Sequence, residues 1–240
     1  MGCQHRPARP SPRRRSQLMV DLHTQRKWDK AASAFDLMSG MGTERRWLPH
    51  KQKLFGNMQG KVLFLALGTG LDIAAFPPGQ DITAIDISPE MIKRARARMD
   101  DYSGSITAEV MDVHELRFED GQFDQIYTSC TFCSVPRPVA GLTALKRVLK
   151  PGGELFMFEH TGSKYFPLNL SMKFMSIITE KLGPSMDRHT VDNVKQAGFH
   201  IVEVEHVFLD VVKIIKARKD SNNVVDMTES ISNTHSALTT

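Results

Sequence analysis

Cysteine is scarce in this 240-residue chain, with only Cys3, Cys130 and Cys133 present. A sparse, odd-numbered set argues against a disulfide framework and suits a reducing compartment. Cys130 and Cys133 have C-x-x-C spacing but no second ligand pair and no adjacent His pair. They read as small buried apolar side chains, and no metal is expected. No run of 18 uninterrupted apolar residues occurs, so no membrane-spanning helix is expected. No apolar segment follows the N-terminal arginines as a secretory signal would require, and no internal repeat is visible. The formal charge is +4, but Arg6, Arg9, Arg13, Arg14 and Arg15 account for five positive charges, leaving the remainder at −1. The basic character therefore belongs to a tail, and a folded nucleic-acid surface is set aside.

What remains is a globular composition, 41% hydrophobic and 24% charged, enough for one large core. Residues 1–22 are rich in Arg and Pro and read as a disordered basic tail. Met-Gly-Cys hints at acylation, yet Arg6 stands where the myristoylation pattern wants Ser or Thr. An upstream start codon, with Met19 as the alternative, is a second reading. A peripheral contact with an anionic membrane is a third. Residues 23–219 are expected to form a single domain, and 220–240 a polar disordered tail.

Within the domain, apolar residues recur at helical spacing over 24–58 (Trp28, Ala31, Phe35, Met38, Trp47, Leu54, Phe55). Gly40 and Gly42 divide that run into two helices. Strands are predicted at 61–67, 81–88, 106–112, 123–130, 154–160, 200–207 and 211–216. Helices are predicted at 89–101, with Ser88 as N-cap and Pro89 in its first turn, at 139–149 before "KPGG", and at 190–197. The alternation means βαβ units in a doubly wound, mainly parallel sheet of seven strands. The last two strands are joined by few residues and form an antiparallel hairpin at one edge.

Such sheets bind ligands beyond the carboxyl ends of their strands. Gly68 and Gly70 follow the first strand, and Asp86 ends the second, placed to accept two ribose hydroxyls. A dinucleotide turn wants a third small residue where Ile73 stands, which disfavours a nicotinamide-linked oxidoreductase. S-adenosylmethionine lacks a pyrophosphate and tolerates Ile73. Asp112 and Val113 after the third strand are then placed to accept the adenine amino group and donate an N–H. Phe132 and Cys133, after the fourth, could line the pocket.

Lys61–Gly70, "AIDISPEMIKRA", "MDVHEL", "FDQIYTSCTFCSV" and "RVLKPGGELFMFEH" together resemble the class I S-adenosylmethionine-dependent methyltransferases, over about Trp28 to Lys216. They are similar to that superfamily's small-molecule and lipid branch. The resemblance implies a Rossmann-like fold, S-adenosyl-L-methionine as cofactor, and a cofactor site of Ala66, Gly68, Gly70, Asp86, Ile87, Asp112, Val113 and Phe132. The family's turn, near V-L-E-x-G-x-G-T-G, has Phe64 here for its acid and Ala66 for its first glycine. The missing acid implies weakened binding at the cofactor's methionine end, and Phe64→Glu is expected to restore it. Ala66 fits if its φ is negative.

Methyl transfer to a soft or amine nucleophile is mostly positioning, so no triad is required. Glu159 and His160 end the fifth strand, facing the substrate mouth, and are the catalytic candidates, His160 as a base; the alternative is that either only shapes the pocket or holds a loop. Asp187, Arg188 and His189 either cap the late helix or contact a polar headgroup. The insert 164–184 is apolar with flanking lysines and reads as a cap over the acceptor site, a core helix, or a lipid contact. The expected acceptor is a small apolar or lipid-like molecule, with phosphatidylethanolamine nitrogen first. A small thiol is second and a quinone carbon third. A non-catalytic protein that kept the fold is the alternative class. The expected location is cytoplasmic or peripheral to a membrane, and sequence leaves the oligomeric state open.

Overall fold

The computed structural model describes residues 12–39, 43–163, 165, 166, 170 and 187–221. Residues 1–11, 222–240 and nearly all of the insert 164–184 lie outside them. Two helices, α1 (Pro12–Ser39) and α2 (Thr43–Phe55), precede β1 (Val62–Leu65). Then come a 3-10 helix (Leu71–Ala75), β2 (Asp81–Asp86), α3 (Pro89–Asp100) and β3 (Ser105–Val110). A short 3-10 turn (Val113–Glu115), β4 (Phe123–Ser129), α4 (Pro138–Val148) and β5 (Leu149–His160) follow. The last described elements are α5 (Thr190–Gln196), β6 (His200–Phe208) and β7 (Val212–Arg218).

The strands form one seven-stranded sheet in the order β3-β2-β1-β4-β5-β7-β6. β1 to β5 pair in parallel, while β7 lies between β5 and β6 and runs antiparallel to both. The expected hairpin is therefore present, with β7 as its reversed member and β6 at the sheet's edge. The strand order reverses direction at β1 and β4, so their carboxyl ends diverge into the crevice that such folds use for ligands.

β1 is central, and all four of its residues are buried. Its alternation divides the core between the two faces of the sheet. Val62 and Phe64 pack with Phe55, Phe76, Ile82 and Tyr127. Leu63 and Leu65 pack with Ile85, Leu142 and Leu145. Phe64 meets Phe55 edge-on at 5.6 Å and Phe76 at 4.8 Å between ring centroids, contacts each worth roughly 1 kcal/mol beyond the area buried.

Several strand ends shift by one or two residues from the sequence reading, and two boundaries differ by more. The first helix begins at Pro12, within the span read as a disordered tail to residue 22. Pro needs no backbone N–H in a first turn, and the Arg, Ser, Gln, Leu and Met that follow are compatible with a helix. β5 begins at Leu149, ahead of the "KPGG" read as a terminator. A register shift after the Phe123–Leu149 pair brings Glu154 opposite Gln125, so the glycines are accommodated within the strand.

Candidate cofactor and methyl-transfer site

The turn after β1 is built on left-handed backbone: φ is 59° at Ala66, 59° at Gly68 and 84° at Gly70. The condition under which Ala66 was expected to fit is not met. An alanine there carries about 1–2 kcal/mol of strain that glycine would avoid. At Gly70 a Cβ would meet Ala95 of α3 at 3.2 Å and the Ile73 side chain at 3.0 Å, so that glycine allows close packing. At Gly68 a Cβ would meet nothing within 4 Å among the described residues, so the position is open there.

Asp86 ends β2, where it is 6% exposed. Its two oxygens accept from the Gly68 N–H and the Ser88 N–H, both at 2.8 Å. Burial pushes its carboxyl above the ordinary range, and these backbone donors oppose that rise. The same carboxylate therefore ties the glycine turn to β2. Ser88 caps α3 by accepting from the Met91 N–H at 3.1 Å. Beyond β3, Asp112 Oδ1 accepts from the His114 N–H at 2.8 Å and faces His114 Nδ1 at 2.7 Å. The other ring nitrogen of His114 lies 3.1 Å from the Arg137 carbonyl.

At the end of β4, Cys130 adopts a φ of 49°, an uncommon conformation for a side chain with a Cβ. Its loop is held by Glu159, which is fully buried. Glu159 accepts from the Thr128 hydroxyl at 2.8 Å, the Thr131 N–H at 3.2 Å and the Phe132 N–H at 3.1 Å. Burial pushes its carboxyl up to about 7 against the pull of those three donors. His160, the next residue, is held below the ordinary histidine range by burial. Cys133 is buried and its thiol is pushed up to about 12, whereas Cys130 is exposed, contrary to the expectation that both cysteines are buried.

These strand ends share a cavity of about 580 Å³. Ala66, Gly68, Asp86, Ile87, Asp112, Val113 and His160 line it. Gly70, Phe132 and Glu159 do not: Gly70 packs on α3, Phe132 belongs to the core, and Glu159 lies beneath the loop after β4. Phe64 also lies outside the cavity lining, within the aromatic cluster. Two helices that the sequence reading left out of the candidate site complete the walls. Thr24, Trp28, Ala31 and Phe35 of α1 contribute one helical face, and Trp47 and Lys51 come from α2. α1 is fastened by Asp29, which accepts from the Ser88 hydroxyl at 2.5 Å. Asp36 accepts from the Thr69 hydroxyl and from Arg98. Asp72 and His114 also line the cavity. His114 stood within the quoted motifs, whereas Asp72, just past the glycine turn, and Lys51, in a strongly charged helix, gave no signal. Arg188 reaches the Val135 carbonyl at 3.5 Å, and His189 precedes α5 without a side-chain cap.

The donor set suits an adenosyl group. One carboxylate ends β2, a second lies beyond β3 beside an N–H-bearing turn, and the open position at Gly68 lets a ligand approach the backbone.

A family model described as "Methyltransferase domain" matches residues 63–157, from β1 into β5. The ubiquinone/menaquinone biosynthesis C-methyltransferase UbiE of Geobacter sp. (strain M21) is 39% identical over 138 residues, covering 53% of this chain and 59% of that protein. The human thiol S-methyltransferase TMT1B is 32% identical over 136 residues, 51% of this chain and 55% of that protein. The phosphatidylethanolamine N-methyltransferase of Cereibacter sphaeroides is 31% identical over 126 residues, 52% of this chain and 62% of that protein. The chain thus matches little more than half the length of these relatives. Among solved structures, an S-adenosylmethionine-dependent methyltransferase from Mesorhizobium loti superposes with a TM-score of 0.55 at 15% identity, covering 72% of this chain and 98% of that one. The [4+2]-cyclase SpnF superposes at 0.57 with 18% identity, covering 74% and 81%. At such identities these structures speak for the fold alone. Residues 63–157 therefore match a methyltransferase domain, on a fold shared with S-adenosylmethionine-dependent methyltransferases.

Proposed function

We propose that this protein transfers a methyl group from S-adenosyl-L-methionine to a small apolar or lipid-like acceptor. The observation that supports it is one continuous cavity. It joins the carboxylates suited to adenosine, Asp86 and Asp112, to an imidazole at the end of β5, His160. When bound, the cofactor supplies a sulfonium-activated methyl group. Asp86 would hold the ribose hydroxyls, while Asp112 and the Val113 N–H would hold adenine. The aromatic face of α1 excludes water from the space between. His160, with its basicity lowered by burial, stands as free base at neutral pH and takes the acceptor's proton as the nucleophile attacks.

Exposed apolar residues lie in the segments at the end of the sheet where His160 sits. Tyr165 and Phe166 follow β5, and Leu209 sits at the β6–β7 turn. They favour a lipid acceptor, and phosphatidylethanolamine nitrogen is the first to test. A thiol is the second reading, because a free imidazole base suits a group that ionises near pH 8.5. A quinone carbon is the third.

Isothermal calorimetry with S-adenosylmethionine and S-adenosylhomocysteine tests the cofactor. No binding of either would sink the proposal, and Asp86→Ala should abolish the binding seen in wild type. Radiolabelled methyl transfer into phospholipid, thiol and quinone panels then separates the acceptors. A binding protein with no transfer into any panel would point instead to the non-catalytic alternative.

A further inference from the structure

Lys51 Nζ lies 2.6 Å from Asp72 Oδ1, with only 5% and 13% of the two side chains exposed. Lys51 comes from α2 and Asp72 from the 3-10 helix that leaves the glycine turn, and both line the cavity. The lysine also lies 5.6 Å from the centre of the Phe158 ring. Two charges withdrawn from water lose solvation that their mutual attraction hardly repays, and an apolar pair of similar volume packs as well. A pair kept in such a place and facing a ligand cavity calls for a ligand that uses both signs.

The order of charged groups across the sheet indicates which part of the ligand that is. Asp112 lies beyond β3 and Asp86 ends β2. The Lys51–Asp72 pair sits beyond β1, and His160 ends β5. If adenine and ribose occupy the first two, the group next in line, over β1, is the amino-acid end of the cofactor, just before the acceptor. That end carries one ammonium and one carboxylate.

We propose that Asp72 and Lys51 bind the α-ammonium and α-carboxylate of the cofactor's methionine end. They take the place left by the acid that the family pattern puts at Phe64. The proposal rests on the cofactor reading above. It accounts for a working methionine subsite in a chain whose motif acid is a core phenylalanine.

The test compares two ligands on the full chain by calorimetry. S-adenosylhomocysteine has the amino-acid end; 5′-methylthioadenosine keeps the adenosine and thioether and lacks it. Lys51→Met and Asp72→Asn should each weaken S-adenosylhomocysteine by about 10- to 100-fold, the worth of a hydrogen bond to a charged group. Affinity for 5′-methylthioadenosine should stay within about twofold, since it makes none of those bonds. The double variant Lys51→Met/Asp72→Leu leaves no lone buried charge. It should fold, keep 5′-methylthioadenosine and lose the preference for S-adenosylhomocysteine.

Parallel loss of both ligands would show a structural pair and overturn the assignment, as would an unchanged preference. If wild type binds neither ligand, the cofactor reading fails and this assignment with it. Binding of both by wild type with no change in the variants rejects this assignment alone.

Discussion

Glu159 ties the pH dependence of stability to the loop that shapes the cavity. Its carboxyl is pushed from 4.5 to about 7 by complete burial. A folded-state value above the unfolded one means that the native protein binds the proton more tightly. The stabilisation is therefore fully present below pH 4.5 and is lost as pH rises through 7. At about 1.4 kcal/mol per pH unit, the window from 4.5 to about 7 corresponds to roughly 3 kcal/mol. Glu159→Gln removes the titration while keeping the side chain's size. The amide nitrogen would face the Phe132 N–H, donor against donor, where Glu159 Oε2 now accepts at 3.1 Å. That costs about 1–3 kcal/mol at every pH and does not alter the slope. Urea denaturation of both proteins from pH 4 to 8.5 gives the measurement. The stability difference, wild type minus variant, should fall by roughly 3 kcal/mol across the window and then level off. Parallel curves would refute the argument, because they would mean that Glu159 ionises alike in the folded and unfolded chains.

Ala66→Gly should raise stability by about 0.5–1 kcal/mol, since the left-handed strain at 59° exceeds the entropy that glycine returns to the unfolded chain; a lower melting temperature would contradict this. Phe64→Glu reverses the expectation drawn from the motif: it places a carboxylate among Phe55, Phe76 and Tyr127 and should cost about 3 kcal/mol or more in chemical denaturation without tightening cofactor binding. His114→Ala should weaken S-adenosylhomocysteine while barely affecting its deaminated inosyl analogue, because His114 braces the carboxylate proposed to read the adenine amino group. Equal loss for both ligands in calorimetry would assign His114 a packing role only.

Much of the sheet was legible because strand and helix periods differ and Gly, Pro and Ser mark the junctions between them. Asp86 and Asp112 were legible for a related reason. Each is a carboxylate at or just beyond the carboxyl end of a strand, where a parallel sheet presents side chains to a ligand. Lys51 and Asp72 were not, because their pairing joins α2 to the turn after β1, and in sequence each looks like an ordinary solvated charge. α1 was left out of the candidate site although the spacing of Thr24, Trp28, Ala31 and Phe35 marks one helical face; what that face covers is a tertiary fact.

The two catalytic candidates show how a rule already in hand could have separated them. Glu159 and His160 are consecutive in β5, and neighbouring side chains on a strand point to opposite faces. Both were read as facing the acceptor mouth or else as shaping the pocket or holding a loop, and regular strand geometry permits only one to face the mouth. His160 lines the cavity, and Glu159 turns beneath the loop after β4 to hold Thr128, Thr131 and Phe132. Phe132 follows the same logic. Its N–H is fixed by Glu159 while its ring joins the core, so the residue helps shape the cavity through its backbone without lining it. The end of β5 is thus divided between adjacent residues, an imidazole facing the cavity and a carboxylate holding the loop after β4.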